Sequence, residues 1–320
     1  MQKKVQLPVN IHREKRLKRL ARNFRSEWQL HVLILIPLIH LLIFCYYPMY
    51  GAQIAFKKYS AAQGIWGSEW VGLYQFQKFF SSYQFKPVIW NSLRISLYSL
   101  IAGFPVPILL ALMINACPSR RFRKTVQMVT YAPYFISTIV LVGMLNQFLS
   151  NTVGLYASIA KALGVQSVPN LLATASTFDH IYVWSGVWQT AGYNAIIYIA
   201  ALTGIDPTLY EAASIDGAGR FQKILHIDIP GILPTAAILL ILNSGSLLNV
   251  GFEKIFLMQN SVNNSVSEVI STYVYKQGIG AGFPDYSYST AVGLFNSVIS
   301  FALVVFTNTC SRKLGGSSMW

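Results

Sequence analysis

The 320-residue chain is 53% hydrophobic and only 11% charged, with a mean hydropathy of +0.44. Soluble domains carry about 25% charged residues, so most of this chain is expected to be dissolved in lipid, and an all-α bundle follows. The formal charge of +14 does not describe a nucleic-acid surface, because the basic residues fall in short gaps between apolar runs and no basic, aromatic-bearing soluble domain is present.

The first 29 residues hold nine of the 25 Lys and Arg. An apolar run from Leu30 to Tyr50 follows, too long for a signal-peptide core and without a small-x-small cleavage site, so it reads as a retained first span. Further apolar stretches cover about Ser92–Ala116, Val126–Leu149, Ile181–Leu202, Ile232–Val250 and Ser289–Thr309, each near the roughly 20 residues that cross a bilayer. Six spans are therefore predicted between a basic segment, residues 1–29, and a short tail, residues 312–320, with residues 30–311 as one membrane domain. Arg120, Arg121, Arg123 and Lys124, together with Arg312 and Lys313, fall on the same side as the leader in this topology. That side should be cytoplasmic, with both termini there.

Prolines at 37, 48, 105, 107 and 133 lie inside or at the ends of spans, where they remove backbone donors and kink helices. The segments Gly51–Asn91, Ser150–His180 and Gly251–Tyr288 fall on the other side. They lack low complexity and read as ordered loops. Cys45, Cys117 and Cys310 are far apart and imply neither disulfide nor metal site.

The spans are almost bare of ionisable groups. His40 and Arg94 are the exceptions, with Glu253 just past the fifth span, which argues against an ion-coupled carrier. No Gly-Lys dipeptide exists, so the chain has no phosphate loop of its own, and no nucleophile or metalloenzyme motif appears. No catalytic residue and no cofactor is assigned to this chain; transport or scaffolding outranks catalysis.

Between the fourth and fifth spans stands Asp206-Pro-Thr-Leu-Tyr-Glu-Ala-Ala-Ser-Ile-Asp-Gly-Ala-Gly-Arg-Phe-Gln-Lys-Ile-Leu-His-Ile-Asp-Ile-Pro230. Asp206 suits a helix cap and Pro207 a first helical position, Gly217 and Gly219 permit a turn, and Pro230 is expected to stop the second helix before the membrane. Leu209, Ala212 and Ala213 share one face of the first helix, and Phe221, Ile224 and Leu225 one face of the second. So short a helix pair needs a groove for those faces, and on spacing alone a groove within the bundle and one on a partner fit equally.

This stretch resembles the EAA loop of binding-protein-dependent ABC permeases, E-A-A, three residues, G, nine residues, I-x-L-P. Glu211, Ala212, Ala213, Gly217, Ile227 and Pro230 match, and Ile229 stands where the pattern has Leu. Tyr47-Pro-Met-Tyr-Gly51, Gly64-Ile-Trp-Gly67, Trp70-Val-Gly72, Gly103-Phe-Pro-Val-Pro-Ile108, Tyr131-Ala-Pro-Tyr-Phe135 and Asn249-Val-Gly-Phe-Glu-Lys-Ile-Phe256 are similar to the lipoprotein- or polysaccharide-type group within the maltose-type superfamily. The T-G-G-P stretch of maltose-type permeases is replaced by Gln259-Asn-Ser-Val-Asn-Asn264.

The resemblance implies a type I importer permease in the bacterial inner membrane, passing an oligosaccharide, in some members an acidic one, by alternating access. It implies a second permease subunit, an ATPase dimer binding ATP and Mg, and an extracytoplasmic solute-binding protein. Glu211, Ala212, Ala213, Asp216, Gly217, Phe221, Ile224 and Pro230 would make the ATPase coupling. A sugar path needs hydrogen-bonding and aromatic groups, for which Tyr47, Tyr50, Asn146, Trp188, Gln189, Asn194, Asn243, Asn249 and Glu253 are the candidates. Another polar solute such as a glycopeptide is the alternative cargo.

Overall fold

A computed structural model describes residues 28–245, 247–248, 250–280 and 282–313. Most of the basic leader, Asn249 and the end of the tail therefore lie outside the described residues. Among the described residues the fold is organised by α1 (Trp28–Phe56), α2 (Phe85–Ala116), α3 (Arg120–Phe135), α4 (Thr138–Phe148), α5 (Ala175–Thr203), α6 (Pro207–Ile215), α7 (Arg220–Gly245), α8 (Phe252–Met258), α9 (Ile270–Gly278) and α10 (Tyr286–Lys313). Further short helices and a ribbon of two-residue strands, β1 (Lys57–Lys58) against β2 (Glu69–Trp70), fill the connections.

A helix stands at each of the six predicted spans. Four of them, α1, α2, α7 and α10, are long and apolar enough to cross a membrane, and the pair α3–α4 makes a fifth crossing if read as one bent span. The remaining helix, α5, runs 29 residues, about 43 Å, but polar residues including Gln189, Thr190 and Asn194 interrupt its apolar run.

Proline sets the irregularities, with outcomes the sequence pattern alone does not specify. At Pro133 the chain passes through a tight 3-10 turn, Ala132–Phe135, and α3 and α4 meet at 96°. The single third span expected over 126–149 is thus broken. Ser137 restarts the helix by accepting from the Val140 N–H at 3.3 Å.

At Pro230 the expectation of a stop is corrected. The helix runs on through Pro230 and Pro234 to Gly245, because a π turn over Ile224–Asp228 widens the backbone just ahead of the proline, where the missing N–H and the ring would otherwise clash with the preceding turn. A second π turn, Leu42–Tyr46, stands in the same relation to Pro48. The expected stop at Pro230 and the expected kink at Pro48 are therefore both absorbed within continuous helices.

Three clusters form the core. Ile95 and Ala102 of α2, Val142 of α4, Phe178, Tyr182, Val183, Val187 and Ala191 of α5, and Ile255 and Met258 of α8 pack together. Ala111, Leu112, Ala195, Tyr198, Leu202, Ile232 and Ala236 join α2, α5 and α7. Phe79, Val88, Ile270, Tyr273, Tyr288 and Val292 form the third. Small residues let the helices approach. A β-carbon on Gly192 would fall 2.0 Å from the Thr130 carbonyl oxygen, and one on Gly245 2.4 Å from the Val304 side chain. Close contact through small residues is how helices associate where lipid removes the hydrophobic drive. By contrast, the apolar window of α1 buries nothing; only its final turns, Tyr50–Phe56, pack on α10.

Candidate translocation path and coupling loop

The loop between α5 and α7 folds as its sequence dictates. Asp206 accepts from the Thr208 N–H at 2.9 Å, which holds its carboxyl below the ordinary range, and Pro207 opens α6. The helix ends in a Schellman turn. Gly217 sits at φ +77°, its N–H bonds Ser214 O at 3.2 Å, and the Ala218 N–H bonds Ala213 O at 2.8 Å. A left-handed residue is what that closure requires, so glycine is the fitting choice. Gly219 is extended and starts α7, its N–H held by Gln222 Oε1 at 2.7 Å.

The candidate residues of this loop mostly face outward: Glu211, Ala212, Asp216, Gly217, Phe221 and Pro230 are exposed and Ala213 and Ile224 half-buried. Ile224 leans on the α2–α5–α7 cluster. Phe221 is 76% exposed, and Ile215, which the expected faces did not include, 88%. Beneath the loop a clamp absent from the sequence reading ties it to the bundle. Asp228, on the π turn, is buried; its Oδ1 accepts from the Tyr210 hydroxyl at 2.5 Å and lies 3.5 Å from Asn115 Nδ2 at the end of α2. Burial, then the carboxylate, pushes Tyr210 up to about 12. A carboxylate two residues before a proline at a membrane edge was the available signal.

A cavity of about 260 Å³ opens between α2, α5 and α7, lined among others by Ser96, Ser99, Tyr182, Thr190, Asn194 and Asn243. A smaller one of about 90 Å³ continues it past Asn194 and Asn243 to Tyr198 and Pro107. From Tyr182 to Tyr198 the pair follows about 24 Å of α5. Ser96 and Ser99 each hold a buried hydroxyl oxygen without a hydrogen-bond partner. Unpaired buried polar atoms are costly, and a polar group reaching this wall would satisfy these two. Ser96, Ser99 and Gly103 recur at three- and four-residue spacing, a polar and small stripe on α2 that sequence inspection can find.

Of the proposed path residues, the structure brings Asn194 and Asn243 together on this wall. Gln189 instead donates to the Ile136 carbonyl at 2.7 Å, satisfying the backbone opened at the α3–α4 break. Tyr47, Tyr50, Asn146, Trp188 and Glu253 are exposed, and none lines the cavity. Arg94, the charge noted in the second span, is neutralised: Nη2 donates to Asp179 Oδ1 at 3.1 Å and Val266 O at 3.0 Å, while Nε stands 2.7 Å from Asp179 Oδ2 but out of line for a hydrogen bond. On α8, outside the spans, Lys254 is buried and donates to Tyr182 O at 2.8 Å. Desolvation brings its ammonium down to about 8.

A bundle of long apolar helices around a polar cavity, with an apolar-faced helix pair protruding from one connection, is the architecture of a membrane transport subunit. Residues 103–315 match the family of binding-protein-dependent transport system inner membrane components, and the chain belongs to that family. Protein LplB of Bacillus subtilis (strain 168) is 39% identical over 90% of each chain. The polygalacturonan/rhamnogalacturonan transport system permease protein YteP of the same organism is 38% identical over 97% of this chain and 96% of its own. Among solved structures, a chain of a bacterial ABC transporter involved in the import of the acidic polysaccharide alginate superposes with a TM-score of 0.83 at 40% identity, covering 92% of this chain and 99% of that one. A bacterial alginate ABC transporter in complex with an alginate pentasaccharide-bound periplasmic protein gives 0.85 at 39% identity, covering 94% and 100%.

Proposed function

We propose that this chain is the permease subunit of an ATP-driven importer in the bacterial inner membrane, and that it passes an oligosaccharide through the α2–α5–α7 cavity. The observation that carries the reading is the row of Ser96, Ser99, Thr190, Asn194 and Asn243 along that cavity, with two serine oxygens unpaired. Sugars offer hydroxyls to such groups at every ring. The relatives named for polygalacturonan and alginate transport point to the same cargo.

The remaining machine follows from the same reading: a second permease completing the path, an extracytoplasmic binding protein delivering the sugar, and an ATPase dimer that binds ATP and Mg. Residues 1–29 and 312–320 face the cytoplasm in this topology, as the concentration of basic residues in the leader requires. The EAA-like loop docks on the ATPase, since Phe221 and Ile215 leave large apolar surfaces uncovered and a helix pair of this kind seats such groups in a partner's groove. Alternating access then reorients the cavity when the ATPase closes.

Reconstitution with the partner subunits tests the cargo. ATP-dependent uptake of labelled oligosaccharide should fall about tenfold in the double variant Asn194→Ala, Asn243→Ala, with protein abundance unchanged. Unaltered uptake in that variant contradicts the path.

A further inference from the structure

A buried lysine, Lys254, stands beside the cavity with no counter-ion among the described residues. Residues 182, 186 and 190 share one face of α5 by their four-residue spacing, and Tyr182 and Thr190 of that stripe line the cavity. Gly186 lies between them, and a β-carbon there would fall 3.2 Å from Lys254 Nζ. The missing side chain therefore leaves the berth that the ammonium occupies. Nζ donates to Tyr182 O at 2.8 Å and lies 4.8 Å from the centroid of the Tyr182 ring, so one side chain touches both the lumen and the cation. The connection is short on the other side as well, because Val250 and Gly251, also in the cavity wall, immediately precede α8.

The charge is poorly compensated. An ammonium has three donors, and the recorded hydrogen bond uses one. Among the described residues the ion pairs are Lys78–Asp285, Arg94–Asp179 and Lys276–Glu268, and none includes Lys254. Glu253, its neighbour in sequence, is exposed. Away from water, an unpaired cation projects a stronger field than a surface lysine, and an anion entering the adjacent space gains from it. Burial brings the group down to about 8, and an anion beside it would favour the charged form.

We propose that Lys254 is a specificity-determining residue that makes the path favour sugars bearing carboxylates, uronate oligomers, over neutral ones of the same shape. This rests on the oligosaccharide reading and sharpens it. Ser96 and Ser99 answer hydroxyls, which all sugars have; Lys254 answers the charge, which only some have.

The test uses the complete importer in proteoliposomes, with short galacturonate and mannuronate oligomers and their methyl esters as probes. Uptake by each variant is divided by that of the native importer for the same sugar, which cancels the preference of the binding protein. Lys254→Met should lower uptake of the acids about tenfold and leave the esters within about twofold, whereas Lys254→Arg should keep most of the acid uptake. An equal loss for acid and ester assigns Lys254 a purely structural role and overturns the inference, as does equal uptake by Lys254→Met and the native protein. If the native importer takes up neither form, the oligosaccharide reading itself fails; if it takes up both and the variants match it, only the role of Lys254 fails.

Discussion

The two connections that flank α7 differ in what they bury. The one before it, residues 204–219, buries none of its residues, exposes Leu209 and Ile215 and leads into the exposed Phe221 in the first turn of α7; it is anchored from beneath by Asp228. The one after it, from Gly251 to Asp285, buries Ile255, Met258, Val269 and Ile270 while exposing Val262, Ile279 and Phe283, and its buried polar groups bond within it and to neighbours such as Leu172. Asn263 is fully buried there. Its Nδ2 donates to Leu172 O at 2.9 Å and Met258 O at 3.0 Å, and its Oδ1 accepts from the Asn260 N–H at 2.9 Å and the Ser267 hydroxyl at 3.1 Å. Both connections show apolar side chains to the outside, but only the second has a buried interior of its own; the first rests on what lies beneath it and on whatever covers it.

That contrast separates stability from function, and substitutions on the two sides should fall on opposite axes. The largest stability effect is expected where helices meet through backbone: Gly192→Ala drives a β-carbon into the Thr130 carbonyl and should destabilise the bundle by about 3 kcal/mol, seen as a lower thermal midpoint of the purified chain and lower membrane abundance. Asn263→Ala follows at about 2 kcal/mol, since two carbonyls and two donors lose a buried partner; the same melting measurement checks it.

Gly217→Ala strains a left-handed turn at a cost of about 1 kcal/mol. It should leave the chain in the membrane while reducing copurification of the ATPase and uptake. Phe221→Ala should move stability by less than about 0.5 kcal/mol, because the ring is already exposed, yet reduce uptake and ATPase copurification as the loss of an aromatic anchor does. A fall in abundance with normal ATPase binding by the surviving protein would erase the distinction between the two connections.

Much of this was legible in the sequence because it depends on local period and composition. The helices at the expected spans, the cap at Asp206 and the turn at Gly217 all follow from residues within a few positions of one another, whereas the outward Phe221 was left open by spacing alone. What was not legible involves partners far apart in the chain or backbone that adapts. Pro230 reads as a stop, but a π turn accommodates it. Gln189 reads as a path residue, and its amide serves a carbonyl freed by the break 53 positions away. The Gln259–Asn264 segment, which replaces the glycine-rich stretch of related permeases, includes the internal staple Asn263. Lys254 and Asp228 acquire meaning only from the helices that close over them.

The account turns on which connection meets the ATPase, and cross-linking from single positions decides it. A photo-reactive residue at Phe221 or at Trp66, which is 80% exposed among the loops assigned to the other side of the membrane, is introduced into the assembled importer. The account predicts an adduct with the ATPase subunit from position 221 and none from position 66. An ATPase adduct from position 66, or its absence from position 221 in an importer that still transports, contradicts the assignment of the loop and the topology together.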